Sequence, residues 1–315
     1  MSKALNAAFA EEIKQGLSEN PRRISSKWFY DEKGDDLFVQ ITQLPEYYLT
    51  KAEEDIFQNQ TTRLKDALTN QLDTFDLFEL GAGDGKKTFH LLRALNPEKY
   101  TYRPIDISSN AVNNLERTVS FEFPNVQIEP IEGEYFEVLD ALKSDRAKVI
   151  LFMGSNIGNL LDYRANEFLK RLSSTMKVGD TLLLGVDLKK SRDIVLPAYN
   201  DKQGVTAEFN LNVLRRINRE LGGDFDMGGF EHAPEYDEAD GIAYSYLRST
   251  KDQVVTISAI KGYYEFSKGE KLFTEISRKY DQEALDLITK DTSLQLVDRL
   301  FDRDHLFCDA IFKKV

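Results

Sequence analysis

A chain of 315 residues with 41% hydrophobic and 30% charged residues can bury one large core, or a core with a smaller domain grafted onto it. The formal net charge of −12 argues against nucleic acid and anionic membranes as partners, because both call for a basic face. Cys308 is the only cysteine, which leaves no internal disulfide and no thiolate cluster.

His90, His232 and His305 lie far apart and read as structural or surface residues, so no metal site is expected. No run approaches the roughly 18 apolar residues of a spanning helix, and the protein is expected to be cytoplasmic.

Residues 4–17 carry helical spacing, broken at Pro21. An aromatic region follows, with Lys27-Trp28-Phe29-Tyr30-Asp31 and Leu44-Pro45-Glu46-Tyr47-Tyr48 on either side of Leu37, Phe38 and Ile41. Rings in this setting serve either as a packed cap or as a lid over a small-molecule pocket. Residues 53–68 read as a helix. From Thr74 strands and helices alternate, the mark of a parallel sheet covered on both faces. Strands are predicted at 75–80, 100–106, 126–131, 149–153 and 181–188, with helices at 86–95, 109–122 and 164–176.

After Lys190 the rhythm breaks. A helix is predicted at 207–221, closed by Gly222-Gly223, then a loop-rich stretch over 224–241 and strands at 254–260, 262–266, 273–280 and 306–312. The expected division is a sheet domain of residues 60–190 with 281–315, and a smaller domain of residues 1–59 with 191–280.

Ligands of open parallel sheets bind beyond the carboxyl ends of the strands, and four loops leave such ends with suitable residues. Gly81-Ala82-Gly83 joins the first strand to a helix with bare backbone and exposed N–H groups, in a G-x-G-x-G spacing that suits a nucleoside rather than a pyrophosphate. Asp106 ends the second strand, where an acid can accept both hydroxyls of a ribose. Gly133-Glu134-Tyr135 supplies an acceptor and a ring for an adenine. Gly154-Ser155-Asn156-Ile157-Gly158-Asn159 is small and polar directly after the fourth strand.

This arrangement resembles the S-adenosylmethionine-dependent methyltransferases, which implies an α/β, Rossmann-like class I sheet with a second, smaller substrate-binding domain. The segments around Trp28-Phe29-Tyr30, Pro45-Glu46-Tyr47-Tyr48, Gly154 to Asn159, Gly204-Val205-Thr206-Ala207-Glu208-Phe209-Asn210 and Thr274-Glu275-Ile276-Ser277 are together similar to the L-histidine Nα-methyltransferase family of ergothioneine biosynthesis.

Position by position, the resemblance implies that Tyr30, Gly81, Lys87, Asp106, Glu134 and Tyr135 bind S-adenosyl-L-methionine. It implies that Asn159 and Tyr199 hold the amino acid's carboxylate and amine, while Tyr47, Glu275 and Ser277 address the ring, with Tyr47 and Asn159 also carried over as the catalytic pair. Two departures stand out. Glu134 replaces a shorter acid of the family. Ser245 stands where a methionine lines the histidine pocket, which implies a wetter, roomier pocket.

The expected product is trimethylhistidine. The alternatives are another aromatic amino acid or amine as substrate, or a cofactor-binding module without catalysis. A nicotinamide oxidoreductase is disfavoured because the third glycine does not stand at the G-x-G-x-x-G spacing. Small-molecule substrate apart, no obligate partner is expected.

Overall fold

The computed structural model describes residues 3–70 and 72–315. In chain order, helices α1 (Lys3–Ser18), α2 (Glu32–Gln43) and α3 (Tyr48–Thr69) precede β1 (Phe75–Leu80), α4 (Lys86–Ala94), β2 (Tyr100–Asp106) and α5 (Ser109–Glu122). Next come β3 (Gln127–Ile128), β4 (Ile131–Glu132), β5 (Ala147–Phe152), α6 (Asp162–Ser174) and β6 (Thr181–Asp187). Helices α7 (Arg192–Ala198) and α8 (Val205–Leu221) lead to β7 (Phe230–His232), β8 (Glu235–Asp237), β9 (Ile242–Ser249), β10 (Gln253–Ile257), β11 (Gly262–Phe266) and β12 (Lys271–Arg278). The chain closes with α9 (Gln282–Thr289), β13 (Leu294–Phe301) and β14 (Phe307–Lys314).

Two compact units emerge. One comprises Tyr48–Lys190 and Arg278–Val315, the other Met1–Tyr47 and Ser191–Ser277. Helix α3 lies whole in the first, where the sequence reading had divided the chain at residue 60. The reason is its apolar stripe: Ala52, Ile56, Phe57, Leu64 and Leu68 fill the core on one face of the sheet.

That sheet has the order β13-β14-β6-β5-β1-β2-β3, with β4 also paired to β2. Strands β1, β2, β5 and β6 are parallel, and β14 runs antiparallel to both β6 and β13. Period-two alternation sends Leu77, Val149, Leu151 and Leu183 to one face and Phe78, Leu80, Ile150, Phe152, Leu182 and Leu184 to the other, so both are dry. This is the Rossmann-like class I arrangement. The order 5-1-2 places the switch point at the carboxyl ends of β1 and β5.

Three details depart from the sequence reading. The strand expected at 126–131 is two short pieces, because Pro130 between them has no N–H to give, and each piece pairs separately with β2. Helix α9 and strand β13 were not anticipated; β13 is an edge strand carrying Asp298 and Arg299, which blurs its alternation. The loop-rich stretch 224–241 holds β7 and β8, both paired to β9.

The second unit has its own core. Helix α8 buries Phe209, Val213, Ile217 and Leu221 as its fourfold spacing predicts, and ends at Gly222 with a φ of 63°. A four-stranded sheet, β12-β9-β7 with β8 on β9, and the hairpin β10-β11 complete it. The aromatic N-terminal segment packs here, with Phe9 against Trp28 at 4.6 Å between ring centres and Phe29 against Phe209 at 5.0 Å. Among the described residues no helix is long and apolar enough to cross a membrane.

Candidate active site

In the sheet-bearing unit the four predicted loops are drawn together by backbone and side-chain contacts. Gly81, Gly83 and Gly85 all have positive φ, of 72°, 55° and 67°. The N–H groups of Gly81 and Ala82 both donate to Ile105 O, at 2.8 and 3.1 Å, tying the first loop to the end of β2. A Cβ on Gly81 would lie 2.5 Å from the Tyr135 hydroxyl oxygen and 2.6 Å from Asn156 Nδ2, so the third and fourth loops close on the same point. The same test at Gly83 meets nothing within 4 Å, which leaves open space above bare backbone.

Asp106 fixes the second loop. Its Oδ2 accepts from Gly83 N at 3.0 Å and its Oδ1 from Ser108 N at 3.0 Å. Burial raises its pKa, opposed by hydrogen bonds from Ser108, Gly83 and Ile107. With three backbone donors on it, the carboxylate still has acceptor capacity left to offer a hydroxyl donor. Tyr135 stands edge-on to Phe152 at 5.1 Å. Burial, with a lesser push from the Asp106 charge, raises its hydroxyl pKa and keeps it neutral. Glu134 is half-buried in the turn after β4, and Asn159 half-buried at the end of the short turn Asn156–Asn159. These residues fit an adenosyl cofactor: an open glycine backbone, an acid with spare acceptors and a ring.

Beneath the loop, Glu79 is buried and accepts from Thr88 Oγ1 at 2.8 Å and Tyr102 OH at 2.5 Å. Burial pushes it up to about 7, against the lowering effect of the two hydroxyls and of Lys87. A carboxyl raised in the folded state contributes stability fully present below its unfolded pKa of 4.5 and lost as pH rises to about 7. Glu79→Gln is therefore expected to remove a stability loss of about 3 kcal/mol between those two pH values, which denaturant titrations of both proteins across that range would measure. Parallel curves would show that Glu79 titrates normally.

In the other unit the structure joins Tyr199 to Ser277, the tyrosine hydroxyl donating to Oγ at 2.7 Å, with both residues buried. Tyr199 caps α7, and its carbonyl lies 2.9 Å from His232 Nε2. Glu275 and Ser277 stand two apart on β12 and so project from one face, while Leu272, Thr274 and Ile276 point to the other.

Ser245 belongs to that other face. It alternates with Ala243 and Leu247 on β9, Leu247 shares a core with Leu272, and the Ser245 carbonyl accepts from Thr274 Oγ1 at 2.9 Å. The structure thus does not bring the Ser245 side chain to the side of Glu275 and Ser277. The Tyr30 ring packs edge-on against Phe38 at 5.7 Å and Phe209 at 5.6 Å, and Tyr47 is half-buried against the same core. A surface depression of about 820 Å³ along α3, lined by Gln58, Gln60, Arg63 and Asp298 among others, contains none of these residues.

With this geometry in place, comparison with known proteins decides the family. A family described as histidine-specific, S-adenosylmethionine-dependent methyltransferases matches residues 9–314. The chain belongs to this family. It is 37% identical over 278 residues to the histidine N-alpha-methyltransferase of Mycolicibacterium smegmatis, covering 88% of this chain and 85% of the relative. Ergothioneine biosynthesis protein 1 of Schizosaccharomyces pombe is 30% identical over 307 residues, which is 91% of this chain and 38% of that longer protein. Among solved structures, an S-adenosylmethionine-dependent methyltransferase from Clostridium acetobutylicum aligns at a TM-score of 0.46 and 12% identity, over 83% of this chain and 90% of its own. The protein is an S-adenosylmethionine-dependent methyltransferase.

Sequence reasoning passed over two residues that this methyltransferase places at the cofactor loops. Asn156 closes on Gly81 but reads in sequence as one polar residue in a polar turn. Glu53 is fully buried and accepts from Gly154 N and Lys87 Nζ. Its signal was legible: an acid inside the apolar stripe of α3, between Ala52 and Ile56.

Proposed function

We propose that this enzyme methylates the α-amino group of L-histidine to the trimethylated betaine, the sheet-bearing unit holding S-adenosylmethionine and the other unit recognising the imidazole. The observation that carries the reading is the Tyr199–Ser277 hydrogen bond beside Glu275. A serine hydroxyl that accepts from a tyrosine still directs its own proton onward, to an unprotonated ring nitrogen. A carboxylate two residues along the same strand face accepts the other nitrogen's N–H, which fixes the tautomer.

The cofactor supplies an electrophilic methyl group on a sulfonium. The protein's part is to align a neutral amine: Asn159 donates to the amino acid's carboxylate, and Tyr199, whose one proton goes to Ser277, accepts from the amine N–H, which orients both without adding charge. Tyr47 and Asn159 serve at the reacting end, and Tyr30 on the cofactor. Ser245, facing away from Glu275 on its sheet, is left out of the ring pocket. The net charge of −12 supports a small-molecule substrate rather than nucleic acid, and cytoplasmic action is proposed for a chain in which no described helix is long and apolar enough to cross a membrane.

Incubation with S-adenosylmethionine and single amino acids, followed by product mass, tests this. Histidine is expected to be carried to the trimethylated product while tryptophan and tyrosine gain nothing. A methylated tryptophan with unmodified histidine would move the specificity to the indole reading.

A further inference from the structure

Lys87 is the one cation among the residues assigned to the cofactor, and the cofactor's one anion is the carboxylate of its methionyl part. What holds Lys87 is visible in the sheet-bearing unit. Glu53, with none of its side chain exposed, reaches in from α3 and accepts from Lys87 Nζ. Both of its oxygens also accept from Gly154 N, at 2.9 and 3.0 Å, so the carboxylate is anchored to the loop after β5 before it meets the lysine.

The sheet makes room for it. A Cβ on Gly185 of β6 would lie 2.3 Å from Glu53 Oε1 and 3.2 Å from Asp309 Oδ1, so only glycine admits the two carboxyls there. Lys87 Nζ lies 3.8 Å from where a Gly154 Cβ would stand, and the lysine side chain remains 22% exposed. The ammonium is therefore held by Glu53 beside the loop after β5, on a side chain that is not fully enclosed.

Burial pushes Asp309 well above the carboxylate range and the Glu53 charge beside it adds to the effect, against the lowering influence of Lys87. Burial lowers the Lys87 ammonium, but the Glu53 charge and hydrogen bond outweigh it and leave the group raised. The Glu53–Lys87 pair is thus a carboxylate with no exposed side-chain surface joined to an ammonium whose side chain is only partly exposed.

We propose that Glu53 is a positioning residue for the cofactor, its anchored carboxylate holding the Lys87 ammonium where it pairs with the carboxylate of S-adenosylmethionine. Lys87 has three N–H donors, and commitment of one to Glu53 leaves it oriented rather than consumed.

Calorimetric titration of the full chain with S-adenosylhomocysteine, and with 5′-methylthioadenosine, which lacks the amino-acid part, separates positioning from folding. Glu53→Gln is expected to weaken S-adenosylhomocysteine by about tenfold or more and leave methylthioadenosine within about threefold. Lys87→Met should show the same split, and the double variant should bind no more weakly than Lys87→Met alone. Should Glu53→Gln fail to fold, Glu53→Asp keeps the charge but withdraws it from Lys87, and the same selective loss is expected in smaller degree.

Equal loss of both ligands, additive losses in the double variant, or unchanged S-adenosylhomocysteine binding would each overturn the proposal. Wild-type protein that bound neither ligand would remove the cofactor site itself, and this proposal with it.

Discussion

Asp106→Ala is expected to weaken S-adenosylhomocysteine binding about a hundredfold while the protein remains folded. The carboxylate stands at the end of β2, its oxygens held by backbone N–H groups of Gly83, Ser108 and Ile107, so a ribose diol meets an acceptor already aimed. Two hydroxyl hydrogen bonds to a charged acceptor contribute roughly 1.5 kcal/mol each, and about 3 kcal/mol is about two decades of affinity.

The truncation also frees the N–H of Gly83, whose φ of 55° the carboxylate helps to hold. Asp106→Asn should fall between, since one acceptor survives. Calorimetry gives the affinities and thermal melting checks the fold; an unchanged dissociation constant in the alanine variant would take Asp106 off the ribose.

Much of this half-site could be read from the sequence because its determinants are local. A glycine-rich turn directly after an apolar strand, and an acid at the end of the next strand, have the same consequence in any open parallel sheet. What escaped was set by tertiary neighbours. Asn156 matters because Gly81 has no Cβ, a fact about two loops some 75 residues apart in the chain. That Glu53 of α3 and Asp309 of β14 share a prepared space shows only in the missing Cβ of Gly185. The edge strand β13 was illegible because only Leu300 of its residues is buried and a register shift between Leu296 and Asp298 puts its charges out of step.

Ser245 shows the opposite failure. The family resemblance placed it on the histidine pocket, yet period-two alternation along β9 puts its side chain on the face of Ala243 and Leu247, and Leu247 shares a core with Leu272 rather than with Glu275 and Ser277. The wetter pocket inferred from that position loses its structural basis. On the proposed reading, discrimination among amino acids falls to Glu275 and Ser277 of β12.

For that reason Glu275→Ala is the variant expected to separate substrate recognition from everything else: about a hundredfold loss in kcat/KM for histidine, with S-adenosylhomocysteine affinity within about twofold of wild type. An imidazole N–H left without its carboxylate forfeits a charge-assisted hydrogen bond and pays for its own desolvation, roughly 3 kcal/mol together. Glu275→Gln retains an acceptor but not the charge and should recover part of the loss.

Ser277→Ala should cost less, because the Tyr199 hydroxyl that donates to Ser277 remains to solvate the ring nitrogen. The same assays with tryptophan give the sign of the selectivity change: an indole N–H also needs an acceptor, but the rest of that ring offers no second nitrogen, so losing Glu275 should narrow the preference for histidine. If Glu275→Ala weakened S-adenosylhomocysteine as much as histidine, the residue would be supporting its strand rather than reading the substrate.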